Sequence, residues 1–96
     1  MLILRVLQTG PLHGYAIAQR IHTLSREELS VEEGSLYPAL QRLLLNQWVE
    51  AEWGLSELGR RAKFYRLTPR GRRHLTAQTA EWARFATAIS RVLLTA

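Results

Sequence analysis

The sequence predicts a mainly α-helical fold carrying one small β-hairpin, and two changes of periodicity predict it. Apolar residues recur at helical spacing up to Leu44, alternate from Val49 to Trp53, with Lys63 to Thr68 returning as a second strand, then return to helical spacing from Pro69 to Leu94. A third observation sets the scale: 96 residues make one domain, and a chain of that size buries only about 60–65% of the surface its unfolded form exposes, so a partner subunit would help stabilise it. A hydrophobic content of 47% with 22% charged residues argues for a folded chain rather than a disordered one.

The elements follow in order. Residues 1–8 place Leu4 and Leu7 beside Ile3 in a short, clipped helix that Gly10-Pro11 ends. A second helix from about His13 to Leu24 puts Ile17, Ile21 and Leu24 on one face, with Gln19 and Arg20 outside. Ser30-Val31-Glu32-Glu33 matches a capping box, so a third helix is expected to start at Ser30, with Leu36, Leu40, Leu43 and Leu44 as its buried stripe. Pro38 falls inside it and removes one backbone donor, which predicts a kink or an irregular first turn.

In the hairpin, Val49, Ala51 and Trp53 share one strand face and Glu50 and Glu52 the other, with Gly54 and Gly59 bracketing the turn. Pairing Trp53 with Lys63 sets Ala51 opposite Tyr65, Val49 opposite Leu67 and Glu50 opposite Arg66, which keeps one face apolar. The closing helix begins at about Pro69 and carries a heptad-like stripe of Leu75, Trp82, Ile89 and Ala96, interleaved with Phe85, Val92 and Leu93. Such a stripe needs a cover, and a second copy of the same helix is the simplest one.

Charge is concentrated rather than spread. Between Arg60 and Arg73 lie seven Lys or Arg in fourteen residues and no acid, whereas the whole chain has 13 basic and 8 acidic residues. A polyanion-facing surface follows. Enzymatic chemistry finds little support: there is no Asp and no Cys, His13, His22 and His74 lack metal-ligand spacing, and no Gly-rich phosphate loop is present. No catalytic residue, metal or cofactor is therefore expected. The missing cysteines fit a reducing cytosol, and no apolar run approaches the ~20 residues of a membrane span. A soluble cytoplasmic protein is expected.

Three helices followed by a hairpin is the winged helix-turn-helix order, with helix three entering the major groove and the hairpin, or wing, reaching phosphate or minor groove nearby. Residues 1–68 would form the DNA-binding domain and 69–96 a dimerisation helix. Gly10-Pro11-Leu12-His13-Gly14-Tyr15, Gly34-Ser35-Leu36-Tyr37-Pro38-Ala39-Leu40 and Gly59-Arg60-Arg61-Ala62-Lys63-Phe64-Tyr65-Arg66-Leu67-Thr68 closely resemble the PadR family of bacterial transcriptional regulators. The resemblance covers about residues 2–75, and Glu81-Trp82-Ala83-Arg84-Phe85 is similar to the dimerising helix of its short-tailed members. It implies a homodimeric repressor released from operator DNA by an effector, in some relatives a phenolic acid or a flat lipophilic drug. Many relatives carry Gly where this chain has Gln47, and Asn46 is expected to take over the left-handed conformation there.

Within that frame Ser35, Tyr37, Gln41 and Arg42 are the candidate DNA contacts of helix three, since hydroxyls suit phosphate oxygens and Gln and Arg can pair with base edges. Tyr37 either makes such a contact or packs its ring on the core; Tyr15 poses the same choice, weighted towards packing. Arg60, Arg61 and Lys63 are the candidate wing contacts. Glu57 should turn away or pair with an Arg. Tyr65 should be core, and Trp48 and Trp53 should be structural. Arg70, Arg72 and Arg73 either extend the phosphate track or solubilise the last helix. Leu75, Trp82, Phe85, Ile89, Val92 and Leu93 are the candidate dimer contacts, Trp82 doubling as a wall for an aromatic effector. The competing function is a winged-helix module that binds a protein partner through its long helix and uses the basic wing only for solubility.

Overall fold

The structure is a computed structural model describing residues 1–95, so Ala96 of the expected stripe lies outside the described residues. Helix α1 (Leu2–Val6) runs into a 3₁₀ turn (Leu7–Thr9), followed by a two-residue strand β1 (Leu12–His13), α2 (Gly14–Leu24), α3 (Glu33–Leu45), the hairpin strands β2 (Val49–Leu55) and β3 (Arg61–Leu67), and α4 (Pro69–Thr95). The hairpin register is the one the alternation predicts: Trp53 faces Lys63, Ala51 faces Tyr65, Val49 faces Leu67 and Glu50 faces Arg66. Arg66 Nη2 donates to Glu50 Oε2 at 3.0 Å on the solvent side. Both groups are exposed, so this pair fixes register more than it adds stability.

β1 was not expected. It pairs antiparallel with β3, Leu12 against Tyr65 and His13 against Phe64, giving the sheet order β1-β3-β2. Two residues carry no readable period, and only the edge of β3 makes them a strand. The core is drawn from every layer: Leu4, Val6 and Leu7, Ile17 and Ile21, Leu36 and Leu40, Val49 and Tyr65, and Leu75. Leu24, expected in the stripe of α2, is instead exposed at the last residue of that helix, where the core ends with Ile21.

α3 starts at Glu33, three residues after the start expected at Ser30, and its N-cap Glu32 makes no side-chain cap bond. The segment before it folds on α2 instead. Arg26 N bonds to Thr23 O and Glu27 N to His22 O, with Arg26 and Glu27 at φ 54 and 66, and Ser25 Oγ takes the Leu29 amide at 3.0 Å. These bonds hold the chain away from a helical start at Ser30. Pro38 does not break α3; the first turn adjusts, with the Ser35 and Leu36 amides both bonding to Glu32 O, at 3.0 and 2.9 Å.

α3 closes at Gln47, not Asn46. Asn46 stays right-handed, whereas Gln47 adopts φ 61, with Gln47 N bonded to Leu44 O and Trp48 N to Leu43 O. That is a Schellman closure built on a non-glycine residue. Thr68 then ties the helix end to the start of α4: its Oγ1 donates to Gln47 O at 2.7 Å and accepts from Gly71 N at 2.9 Å. Gly71 lies so close to the Trp48 backbone that a Cβ there would stand 1.9 Å from Trp48 O. The indole of Trp48 stacks on His74 with centroids 3.6 Å apart. The end of α3, the base of the hairpin and the first turns of α4 therefore form one joint.

Candidate nucleic-acid interface

α3 presents its polar residues because its leucines are committed inward. Leu36 and Leu40 are buried, and this rotation leaves Ser35, Tyr37, Gln41 and Arg42 on the exposed side. Tyr37 combines both expectations: its ring packs over the Cα of Gly14, where a Cβ would meet Oη at 3.1 Å, yet 47% of the residue stays accessible. Gly14 is the first residue of α2, whose N-cap is His13, with Nδ1 accepting from Ala16 N at 3.2 Å. Tyr15, expected to pack, stands 69% exposed beside the His13 ring.

The wing turns over a three-residue loop, Glu57–Gly59, with Gly59 at φ 74, Gly59 N bonded to Ser56 O and Ser56 N to Arg60 O. Gly54 lies within β2, where its missing side chain leaves room for the Phe64 ring, and does not bracket the turn. Arg60 is exposed next to the loop, and the Arg61 guanidinium lies 4.7 Å from the centre of the Trp53 ring. Trp53 is exposed and holds a cation rather than filling the hairpin core. Lys63 is half-buried on the same strand face. Glu57 is exposed, and among the described residues the only ion pair is Arg66–Glu50, so Glu57 pairs with no Arg.

These pieces meet in one groove of about 980 Å³, whose walls include Tyr15 and Gln19 of α2, Tyr37 of α3, and Arg60, Arg61 and Lys63 of the wing. Tyr65 forms part of its floor; burial first, and the neighbouring Tyr37 second, raise its phenol above the ordinary tyrosine range. Ser35, Gln41 and Arg42 do not line this groove and lie farther along the exposed side of α3. The sequence reading missed Tyr15 and Trp53 as groove residues, because exposure of an aromatic ring is settled by neighbours in space. Arg70, Arg72 and Arg73 are exposed at the start of α4.

The winged helix-turn-helix is thus complete, with a cationic wing beside an exposed polar face of α3. The model of the PadR-like transcriptional regulator family matches residues 3–77. The chain belongs to the PadR-like family. Among solved structures it is similar to a transcriptional regulator from Clostridium thermocellum, 30% identical with TM-score 0.85 over 94% of this chain and 87% of that one. A PadR family transcription regulator from hypervirulent Clostridium difficile is 29% identical, with TM-score 0.81 over 96% and 94%. An uncharacterised protein of Lysinibacillus sphaericus is 33% identical over 85% of this chain and 75% of its own length. PadR-like proteins are DNA-binding transcriptional regulators rather than enzymes, and that holds for this chain.

α4 carries a second surface. Leu75, expected in the dimer stripe, is buried in the chain's own core, since the joint at Thr68 and Gly71 presses the first turns of α4 onto the sheet. Trp82, Phe85, Ile89, Val92 and Leu93 all remain exposed farther along the helix. Met1 joins Trp82 and Phe85 around a shallow depression of about 350 Å³, so the apolar strip continues onto the start of α1. Among the described residues no helix is long and apolar enough to cross a membrane.

Proposed function

We propose that the chain is a cytoplasmic homodimeric repressor that places α3 of each subunit in successive major grooves of a roughly palindromic operator, with the wings clamping the flanks. The observation that carries this reading is the shared groove, in which Tyr37 of α3 and Arg60, Arg61 and Lys63 of the wing face the same space. Ser35, Gln41 and Arg42 supply the remaining contacts of α3, hydroxyl to phosphate and amide or guanidinium to base edges. The reading unit spans 1–68, and residues 69–96 supply the dimer helix.

Dimerisation is assigned to Trp82, Phe85, Ile89, Val92 and Leu93, whose 82-85-89-92 spacing follows a coiled-coil seam. Exposed together, they make a contiguous apolar strip that a solvated helix does not retain without a cover. Trp82 also offers a flat wall for an aromatic effector, which would release DNA only by favouring one spacing of the two heads over another. Gel shifts in rising salt test the DNA claim. Binding should be tighter to the adjacent promoter than to random duplex, weaken with salt, and fall for the Arg60→Ala/Arg61→Ala double variant, while sedimentation still reports a dimer. Equal affinity for random duplex, or no loss in the double variant, would refute it.

A further inference from the structure

The wing carries apolar surface that phosphate contact does not require. Leu58 is 83% exposed and Leu55 72%, on a hairpin whose other exposed side chains are mostly charged, Glu50, Glu52 and Glu57 as well as Arg60, Arg61 and Arg66. Leu58 is also held in place, since the loop is closed by the Gly59 N to Ser56 O bond at 2.9 Å and the Ser56 N to Arg60 O bond at 2.8 Å. The side chain therefore stands near the apex of a hydrogen-bonded turn, with Arg60 two residues on. Leu58, Arg60 and Arg61 all line the groove that Tyr37 of α3 enters, so the apolar tip faces the same side as the recognition helix.

The minor groove suits such a tip. Its walls are deoxyribose rings, apolar wedges such as Leu enter between base steps there, and flexible pyrimidine–purine steps yield to a wedge most readily. Arg61 is braced on Trp53, which leaves Arg60 as the free cation beside the apex. We propose that Leu58 is a minor-groove wedge for the operator flank, with Arg60 neutralising the adjacent phosphates, so that the flank is read through its deformability. The proposal rests on the DNA-binding reading above. Charge selects DNA as the occupant: the charged groups lining the groove are Arg60, Arg61 and Lys63 against Glu57 alone, a cationic excess that disfavours a second copy of the same wing.

Selection from a random duplex library with the parent and with Leu58→Ser tests it, since Ser is at home in turns. Both proteins should return the same core, and only the parent should enrich TA or CA steps in the flanks. On the parent's selected site, Leu58→Ser should lose about tenfold in affinity, the size of one mismatched base pair, and almost nothing when the flank is changed to G·C. The salt slope should stay the same, whereas Arg60→Ala should lower it by about one. 2-Aminopurine in the flank should brighten on binding the parent and stay dim with the variant. If Leu58→Ser binds both flanks as the parent does, or weakens equally on both, the wedge is wrong while DNA binding stands. If the parent returns no core at all, the DNA-binding reading falls and takes the wedge with it.

Discussion

Replacing Gly71 by Ala should destabilise the protein, although helix propensity alone predicts the reverse. Gly71 lies in the first turn of α4, where Ala is favoured over Gly by up to about 1 kcal/mol. Against that, the new Cβ would stand 1.9 Å from Trp48 O and 2.8 Å from Trp48 C. The partner is backbone, which cannot rotate away, so the start of α4 must retreat by about 1.5 Å to reach ordinary contact. The retreat stretches the Gly71 N to Thr68 Oγ1 bond of 2.9 Å and the Thr68 N to Trp48 O bond of 3.1 Å, and parts the Trp48–His74 stack. Overpacking costs about 1–3 kcal/mol, loss of the Thr68 cap about 1 kcal/mol and the strained backbone bond about 1 kcal/mol. The net loss is about 2–4 kcal/mol, or roughly 10–20 °C in Tm for a domain of this size. Urea and thermal unfolding at one fixed protomer concentration measure it, because an assembly's stability depends on concentration. Gly34 is the internal control: it too is helical, and nothing lies within 4 Å of its virtual Cβ. Gly34→Ala should leave stability unchanged or raise it by up to about 1 kcal/mol. A Gly71→Ala variant as stable as the parent would refute the reasoning.

Two further outcomes follow from the same geometry. Gln47→Gly should stabilise by roughly 0.5–1 kcal/mol, seen as a higher urea midpoint, because Gln47 holds a left-handed φ of 61 that Gly adopts freely; a lower midpoint would show that the side chain contributes more than the backbone strain costs. Tyr65 has its pKa raised above the ordinary value of 10.0 by burial and then by Tyr37. The folded state thus binds the phenol proton more tightly than the unfolded state does. Its contribution is complete below pH ~10 and is lost as pH rises through the folded value. Tyr65→Phe should flatten the decline in stability above pH ~10 in an unfolding series; an unchanged alkaline slope would show that Tyr65 does not titrate with unfolding.

Much of the fold was legible because the relevant signals are local and periodic. Alternation from Val49 to Trp53, matched to Tyr65 and Leu67 on the returning strand, gave the register, since a slip of one residue would turn Ala51 and Tyr65 to solvent. The concentration of cations and the leucine stripe of α3 located the candidate interface for the same reason. Less legible were the features that depend on a competing bond. Ser30 has the right spacing for a capping box, but Ser25 and the left-handed pair Arg26 and Glu27 secure the chain first. The left-handed closing residue of α3 is likewise Gln47, because Thr68, far along the chain, bonds to its carbonyl.

By itself, then, the sequence determined the element order, the hairpin register, the basic wing and the family, all properties carried by residue type and near spacing. Tertiary structure alone decided that β1 is a strand, that Leu75 lies in the core, that Tyr15 and Trp53 stand in the groove, and that Gly71 must remain glycine. Each of these is a relation between segments remote in sequence, where one atom's position sets what another can be. The joint of Gln47, Trp48, Thr68 and Gly71 is the clearest case: four residues where α3, the hairpin and α4 meet, held to one geometry by bonds of 2.7–3.1 Å.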